Sequence, residues 1–201
     1  MSAYFELLVA TITWIGAAVI VIAAVVIAIV AVRQRQPILA LFGLLPVGLG
    51  ILALVFLPDF PRFEPAAAVV ALGLATLGVV GGNPLTVWVL DRASKGDIDG
   101  GTHGGILVPE ATATGARSAT KRREVLRGGT WIGYLERLAI VGAIVVGHVE
   151  IVAAVIAIKG LGRFSELDAP EARERFIIGT LVSMLWAGVC AALIVLPGLT
   201  A

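Results

Sequence analysis

In 201 residues the chain carries 15 Lys and Arg against 14 Asp and Glu, with 59% hydrophobic and only 14% charged residues. That balance excludes an ordinary water-exposed globular surface, and a net charge of +1 gives no case for a nucleic-acid partner. The single Cys190 lies inside an apolar run, so no intrachain disulfide is possible and a small buried hydrophobe is expected there. Richness in Ala, Val, Gly and Arg is compatible with a bacterium of high GC content.

Residues 7–32 form the first apolar run. A signal peptide would begin with a basic residue and carry an apolar region about half as long; this run follows Glu6 and is read as a retained span. Arg33 and Arg35 close it, and basic residues mark the cytoplasmic side, so the amino terminus is expected outside the cytoplasmic membrane. Pro37 opens a second run to residue 57, in which Pro46 is expected to kink the helix, with Gly48 and Gly50 admitting a neighbour. The proline-rich turn at 58–65 holds one base and fits the outside.

The third run, residues 66–90, is interrupted by Gly81, Gly82, Asn83 and Pro84. Asn followed by Pro is a helix-start signature, so the spacing predicts one helical piece over 66–80 and another over 84–92. Such a half-helix start offers N–H groups and a positive dipole end to an anion. The alternative is a packing kink in which Gly78 and Gly82 form a small-residue contact face.

Residues 91–129 are the long polar stretch. Its glycine-rich first half is expected to be a flexible loop, and Asp97 and Asp99 lack the acidic twelfth position of a calcium loop. Arg117, Lys121, Arg122, Arg123 and Arg127 precede the next apolar run; they are read first as a topology signal, with contact to anionic lipid headgroups or a docking patch for an acidic partner as the alternatives.

The segment from Trp131 to Lys159 has the apolar content of a span yet contains Glu136, Arg137, His148, Glu150 and Lys159. Ionisable groups in hydrocarbon are costly and mark function or specific packing. As one helix of about 42 Å, the segment would align Arg137, His148 and Lys159 within ~20° per eleven-residue step. That polar seam would have to face other helices. If Gly147 and His148 instead turn the chain back, thirteen bases fall on the cytoplasmic side against Arg62 alone outside. Apolar length favours the continuous span, and the re-entrant hairpin at 131–159 is its rival. Glu136 is expected to meet a base between Lys159 and Arg175, and Arg137 an acid there or a headgroup phosphate. Arg163, Glu166 and Arg175 are candidates for interface ion pairs. Asp168 and Glu171 have capping-box spacing ahead of the last span, 176–196. Thr180 and Ser183 are read there as packing residues.

The blocks GGTWIGYLERL (128–138), AIKGLGRFSEL (157–167) and ERFIIGTLVS (174–183) resemble the carboxy-terminal region of uncharacterised bacterial integral membrane proteins of the DUF3307 type and their actinobacterial relatives. The pattern there is G-x-x-I-G-x-L-E-R, then A-K-S-x-x-R-F-x-E-L, then E-Y-F-L-I-G-T-L-L-S. Gly160, His148 and Arg175 depart from it, standing where Ser, Gln and Tyr are usual. The resemblance covers about the last 70 residues and implies a membrane protein without an established reaction.

The sequence therefore predicts an all-α polytopic transmembrane bundle of about five spans, or four spans plus the hairpin. Its parts are a three-span section (1–90), a cytoplasmic loop (91–129) and a two-span section (130–201). The reading it supports first is a non-enzymatic accessory or scaffold subunit, its polar seam joining helices in a homo-oligomer or with another membrane protein. A small proton-coupled carrier using His148 and Glu150 is second. An intramembrane enzyme is the weakest reading: no Ser/His/Asp set or H-E-x-x-H is present, and His103 and His148 make no metal site alone. No cofactor is expected.

Overall fold

The computed structural model describes residues 2–57, 64–93, 106–109, 122–125, 129–163, 170–197 and 199. Its body is all-helical: α1 (Ser2–Gln34), a 3-10 turn (Pro37–Gly43) leading into α2 (Leu44–Phe56), α3 (Glu64–Val80), α4 (Gly82–Ala93), α5 (Gly129–Val145), α6 (Glu150–Arg163) and α7 (Pro170–Val195). Three helical stretches are long and apolar enough to cross a membrane: Tyr4–Gln34, Pro37–Phe56 and Arg173–Val195. The pair α3 and α4, bent by 42° at one residue, makes a fourth if counted as a single span. Outside the helices, strands β1 (Ile106–Pro109) and β2 (Arg122–Val125) pair antiparallel, Ile106 opposite Val125. The long polar stretch thus contains a short ladder where only a loop was expected. Asp97, Asp99 and His103 lie outside the described residues.

α1 is apolar on all sides, as a helix lying in lipid is. Its alanines Ala10, Ala18, Ala24, Ala28 and Ala31 are buried, while Leu7, Ile12, Val19 and Val26 point outward. Small residues let backbones approach where lipid supplies no hydrophobic drive between helices. Gly73 on α3 shows how closely: a Cβ there would collide with Val21 Cγ1. α1 ends on Arg35, whose φ of 53° lets the Gln36 N–H donate to the Ala31 carbonyl at 3.1 Å. That pattern closes a helix end by satisfying its free carbonyls.

The helical stretch Pro37–Phe56 changes from 3-10 to α-helix at Leu44, two residues before Pro46, so the proline that removes a backbone donor stands at the junction of the two forms. Gly43 and Gly50 take the close contacts, against Trp186 and Leu193, and nothing lies near Gly48. α7 packs on α2, α3, α4 and α5. Trp186, Cys190, Leu193 and Ile194 of α7 share one core with Ala18, Val21, Val70, Leu74 and Leu77. The two sections outlined from the sequence therefore fold around a common centre.

Candidate functional site

The third run breaks where its sequence breaks. α3 stops at Val80, Gly81 is the hinge, and α4 begins at Gly82. Pro84 has no N–H to give the Val80 carbonyl, and a carbonyl left unpaired in a membrane costs several kcal/mol. Two side chains from other helices reach the carbonyls beside this hinge. Trp186 of α7 donates its Nε1–H to the Leu77 carbonyl at 3.0 Å, and that oxygen also accepts the Gly81 N–H at 2.8 Å. Arg137 of α5 donates Nε–H to the Val79 carbonyl at 2.6 Å and Nη1–H to Ser183 Oγ of α7 at 2.8 Å. One guanidinium thus ties α5 to both the bend and α7.

The glycines make room for it. A Cβ on Gly82 would lie 2.6 Å from Arg137 Cδ and 2.9 Å from Nε, and one on Gly78 would press Cys190 and Val141. Gly78 and Gly82 therefore do form a contact face, and what fills it at Gly82 is a cation. Arg137 is 3% exposed, with its guanidinium carbon 5.2 Å from the centre of the Tyr134 ring. Among the described residues no carboxylate meets it, and Nη2 has no hydrogen-bond partner. Among the described residues the hydrogen-bond partners of Arg137 are a backbone carbonyl and a hydroxyl, whereas Glu166 and Asp168, two of the acids expected to meet it, lie outside them.

The segment 131–159 is not one helix. α5 ends at Val145 and α6 starts at Glu150. Gly147 adopts φ 80°, and His148 N–H reaches back to the Ala143 carbonyl at 2.8 Å. This left-handed glycine cap stops α5 as Arg35 stops α1. Lys159 then comes back to Glu136, and the two side chains form an ion pair with only 16% and 11% of their surfaces exposed. They are 23 residues apart, about 34 Å on a straight helix, so the contact requires the chain to fold back. Glu136 and Lys159 lie nearly equidistant from Gly147, and the pair sets the hairpin's register. Lys159 also stands 5.9 Å from the centre of the Phe176 ring on α7.

The continuous polar seam is corrected accordingly. Glu136, Arg137 and Lys159 gather at the base of the hairpin. His148 and Glu150 go to its tip, where Nδ1 and Oε1 meet at 2.8 Å with side chains 63% and 70% exposed. The expected shielding of that pair by protein neighbours is not found, because the turn at Gly147 carries both residues off the packed face of α5.

The remaining candidates are less fully described. Arg163 ends α6, and Glu166 and Asp168 lie outside the described residues. Arg175 is partly buried, and its Nη1 has no hydrogen-bond partner. Arg122 and Arg123 belong to β2, whereas Arg117, Lys121 and Arg127 lie outside the described residues. Among the described residues no group of three or more His, Cys, Asp or Glu could hold a metal.

Sequence reasoning missed Ser183 as an acceptor and the Val79 and Leu77 carbonyls as partners. Pro84 marked the hinge, although the carbonyl its missing N–H leaves is that of Val80 and neither of these two. The signal for Ser183 was a hydroxyl on an apolar helix near a span with an unmatched base. In space, the three familiar blocks converge: Glu136 of the first meets Lys159 of the second, and Arg137 of the first meets Ser183 of the third. No family model matches the chain, and neither does any curated protein or solved structure. The functional reading rests on the residues themselves.

Proposed function

We propose that the chain is a non-enzymatic accessory or scaffold subunit of a bacterial cytoplasmic membrane, built as four spans plus the hairpin α5–α6 entering from the cytoplasmic side. In this reading both termini and the hairpin tip face outside. All Lys and Arg except Arg62, Arg137 and Lys159 then lie at or beyond the cytoplasmic face, as basic residues prefer. Trp88 with Arg92 stacked on it at 4.9 Å, together with Trp131, supplies aromatic anchors at that face.

The observation that carries the proposal is that the costly polar groups at the hairpin base are engaged within the protein itself. Glu136 is held by Lys159, and Arg137 by the Val79 carbonyl and Ser183. Such bonds fix helix positions in lipid, and none of these groups faces a path across the membrane. The exposed face of α6, with Ile158 and Leu161, remains for contact with another membrane protein or a second copy. The motif resemblance agrees with a membrane role and adds no reaction.

The test joins two measurements on the full chain. A photo-crosslinking residue at Ile158 or Leu161 in native membranes is expected to give a discrete protein adduct identifiable by mass spectrometry. Purified protein in liposomes is expected to carry no proton flux under a pH gradient. Flux that disappears in Glu150→Gln and His148→Ala would replace this reading with a proton-coupled carrier.

A further inference from the structure

We propose that the bend between α3 and α4, together with Arg137, forms a binding site for one monovalent oxyanion, a carboxylate or a phosphodiester. The inference does not depend on the accessory reading; it starts from charge. Glu136, Arg137 and Lys159 lie together at the hairpin base, and the one carboxylate among them is taken by Lys159. Among the described residues Arg137 bonds a carbonyl and a hydroxyl and stacks on a ring, and no carboxylate pairs with it directly.

Two independent features point the same way. The guanidinium lies against Gly82, the first residue of the twelve-residue helix α4, whose amino-terminal end carries partial positive charge. Its Nη2 group, on a side chain 97% buried, has no hydrogen-bond partner. A guanidinium's paired N–H groups match the two oxygens of a carboxylate or phosphodiester.

The way in is short. Arg137 is six residues along α5 from Trp131, about 9 Å below that interfacial ring. Gly133, one turn nearer the cytoplasmic end, packs directly on the Nη edge: a Cβ there would stand 3.2 Å from Nη1 and 3.6 Å from Nη2. The partly exposed Tyr134 covers the guanidinium from the other side, and entry of the anion moves its ring aside.

The test uses the full chain in nanodiscs of zwitterionic lipid, with Tm followed as potassium acetate is titrated against potassium chloride at constant ionic strength. At an acetate concentration a hundredfold above its Kd, binding to the native state raises Tm by about 5–10 °C. Arg137→Gln loses that rise. In case that variant fails to fold, Gly133→Ala keeps Arg137 and presses a Cβ onto the Nη1 and Nη2 edge, so its acetate response is expected to fall at least tenfold in apparent affinity. A second series replaces the lipid with phosphatidylglycerol and omits acetate. A rise in Tm there, again lost in Gly133→Ala, assigns the site to a headgroup phosphodiester; a rise with acetate alone assigns it to a soluble carboxylate. No rise in either series, or equal rises in wild type and Gly133→Ala, overturns the proposal.

Discussion

The hairpin α5–α6 depends on one contact that can be measured directly. Replacing Glu136 with Met leaves the Lys159 ammonium without its partner, and replacing Lys159 with Met strands the Glu136 carboxylate. With only 11% and 16% of these side chains exposed, little solvent screening relieves either charge. Each single substitution is therefore expected to destabilise the fold by about 3 kcal/mol, the usual consequence of leaving one member of a buried pair. The double variant Glu136→Met/Lys159→Met removes both charges and keeps apolar bulk, and is expected within about 1 kcal/mol of wild type. The assay is reversible denaturant unfolding in detergent, followed by far-UV circular dichroism, for all four proteins. A double variant at least ~2 kcal/mol more stable than additivity allows supports the contact. Strict additivity would refute it: on a continuous helix these residues would be about 34 Å apart and could not couple.

Other changes probe the remaining joints. Gly147→Ala places a side chain at φ 80° and is expected to cost about 1 kcal/mol, read as a lowered unfolding midpoint with an unchanged slope. Gly82→Ala drives a Cβ to 2.6 Å from Arg137 Cδ and is expected to cost about 1–3 kcal/mol by overpacking in the same assay. Ser183→Ala removes a hydroxyl accepting from a buried cation and is expected to cost about 1–3 kcal/mol. Trp186→Phe is expected to cost about 1 kcal/mol, because the Leu77 carbonyl keeps its bond from Gly81; a larger loss in Trp186→Phe than in Ser183→Ala would reverse the ranking of the two contacts. In a Cys190→Ser background, an impermeant maleimide added outside is expected to label Tyr4→Cys and His148→Cys and to spare Arg35→Cys, and the opposite pattern would invert the topology.

That the chain carries helices long and apolar enough to cross a membrane was legible because hydropathy depends on composition over twenty residues, and so was the break at 81–84. Gly and Pro act locally there, and their effect on a helix does not wait for tertiary context. The hairpin was harder to see. Gly147 is one glycine in an apolar run, and a left-handed cap needs only one. The eleven-residue spacing of Arg137, His148 and Lys159 was consistent with a seam on one helix. Near-equal spacing of Glu136 and Lys159 about Gly147 was also consistent with two helices facing each other. Periodicity cannot separate these, whereas the distribution of basic residues favoured the fold-back. The partners of Arg137 were hidden for a different reason: a backbone carbonyl has no identity in a sequence, so Val79 could be found only from its position beside the hinge.

The position of Arg137 also explains why a bent helix is tolerable at this place. A bend in lipid must find donors for the carbonyls it frees, and lipid has none. Here Arg137 of α5 donates to the Val79 carbonyl, and Trp186 of α7 adds a second donor to the Leu77 carbonyl, which already accepts the Gly81 N–H. The same two side chains therefore satisfy the bend and locate the helices that carry them. Because apolar surfaces slide on one another in lipid with little preference, directional bonds to fixed carbonyls supply the register that side-chain packing alone leaves loose. A straightened α3–α4 would withdraw those acceptors, so bend, hairpin and α7 are expected to unfold as one unit. Hydrogen exchange of α5 and α7 in Trp186→Phe tests this: protection is expected to fall in both helices together, and loss confined to α7 would show that the bend and the hairpin are held independently.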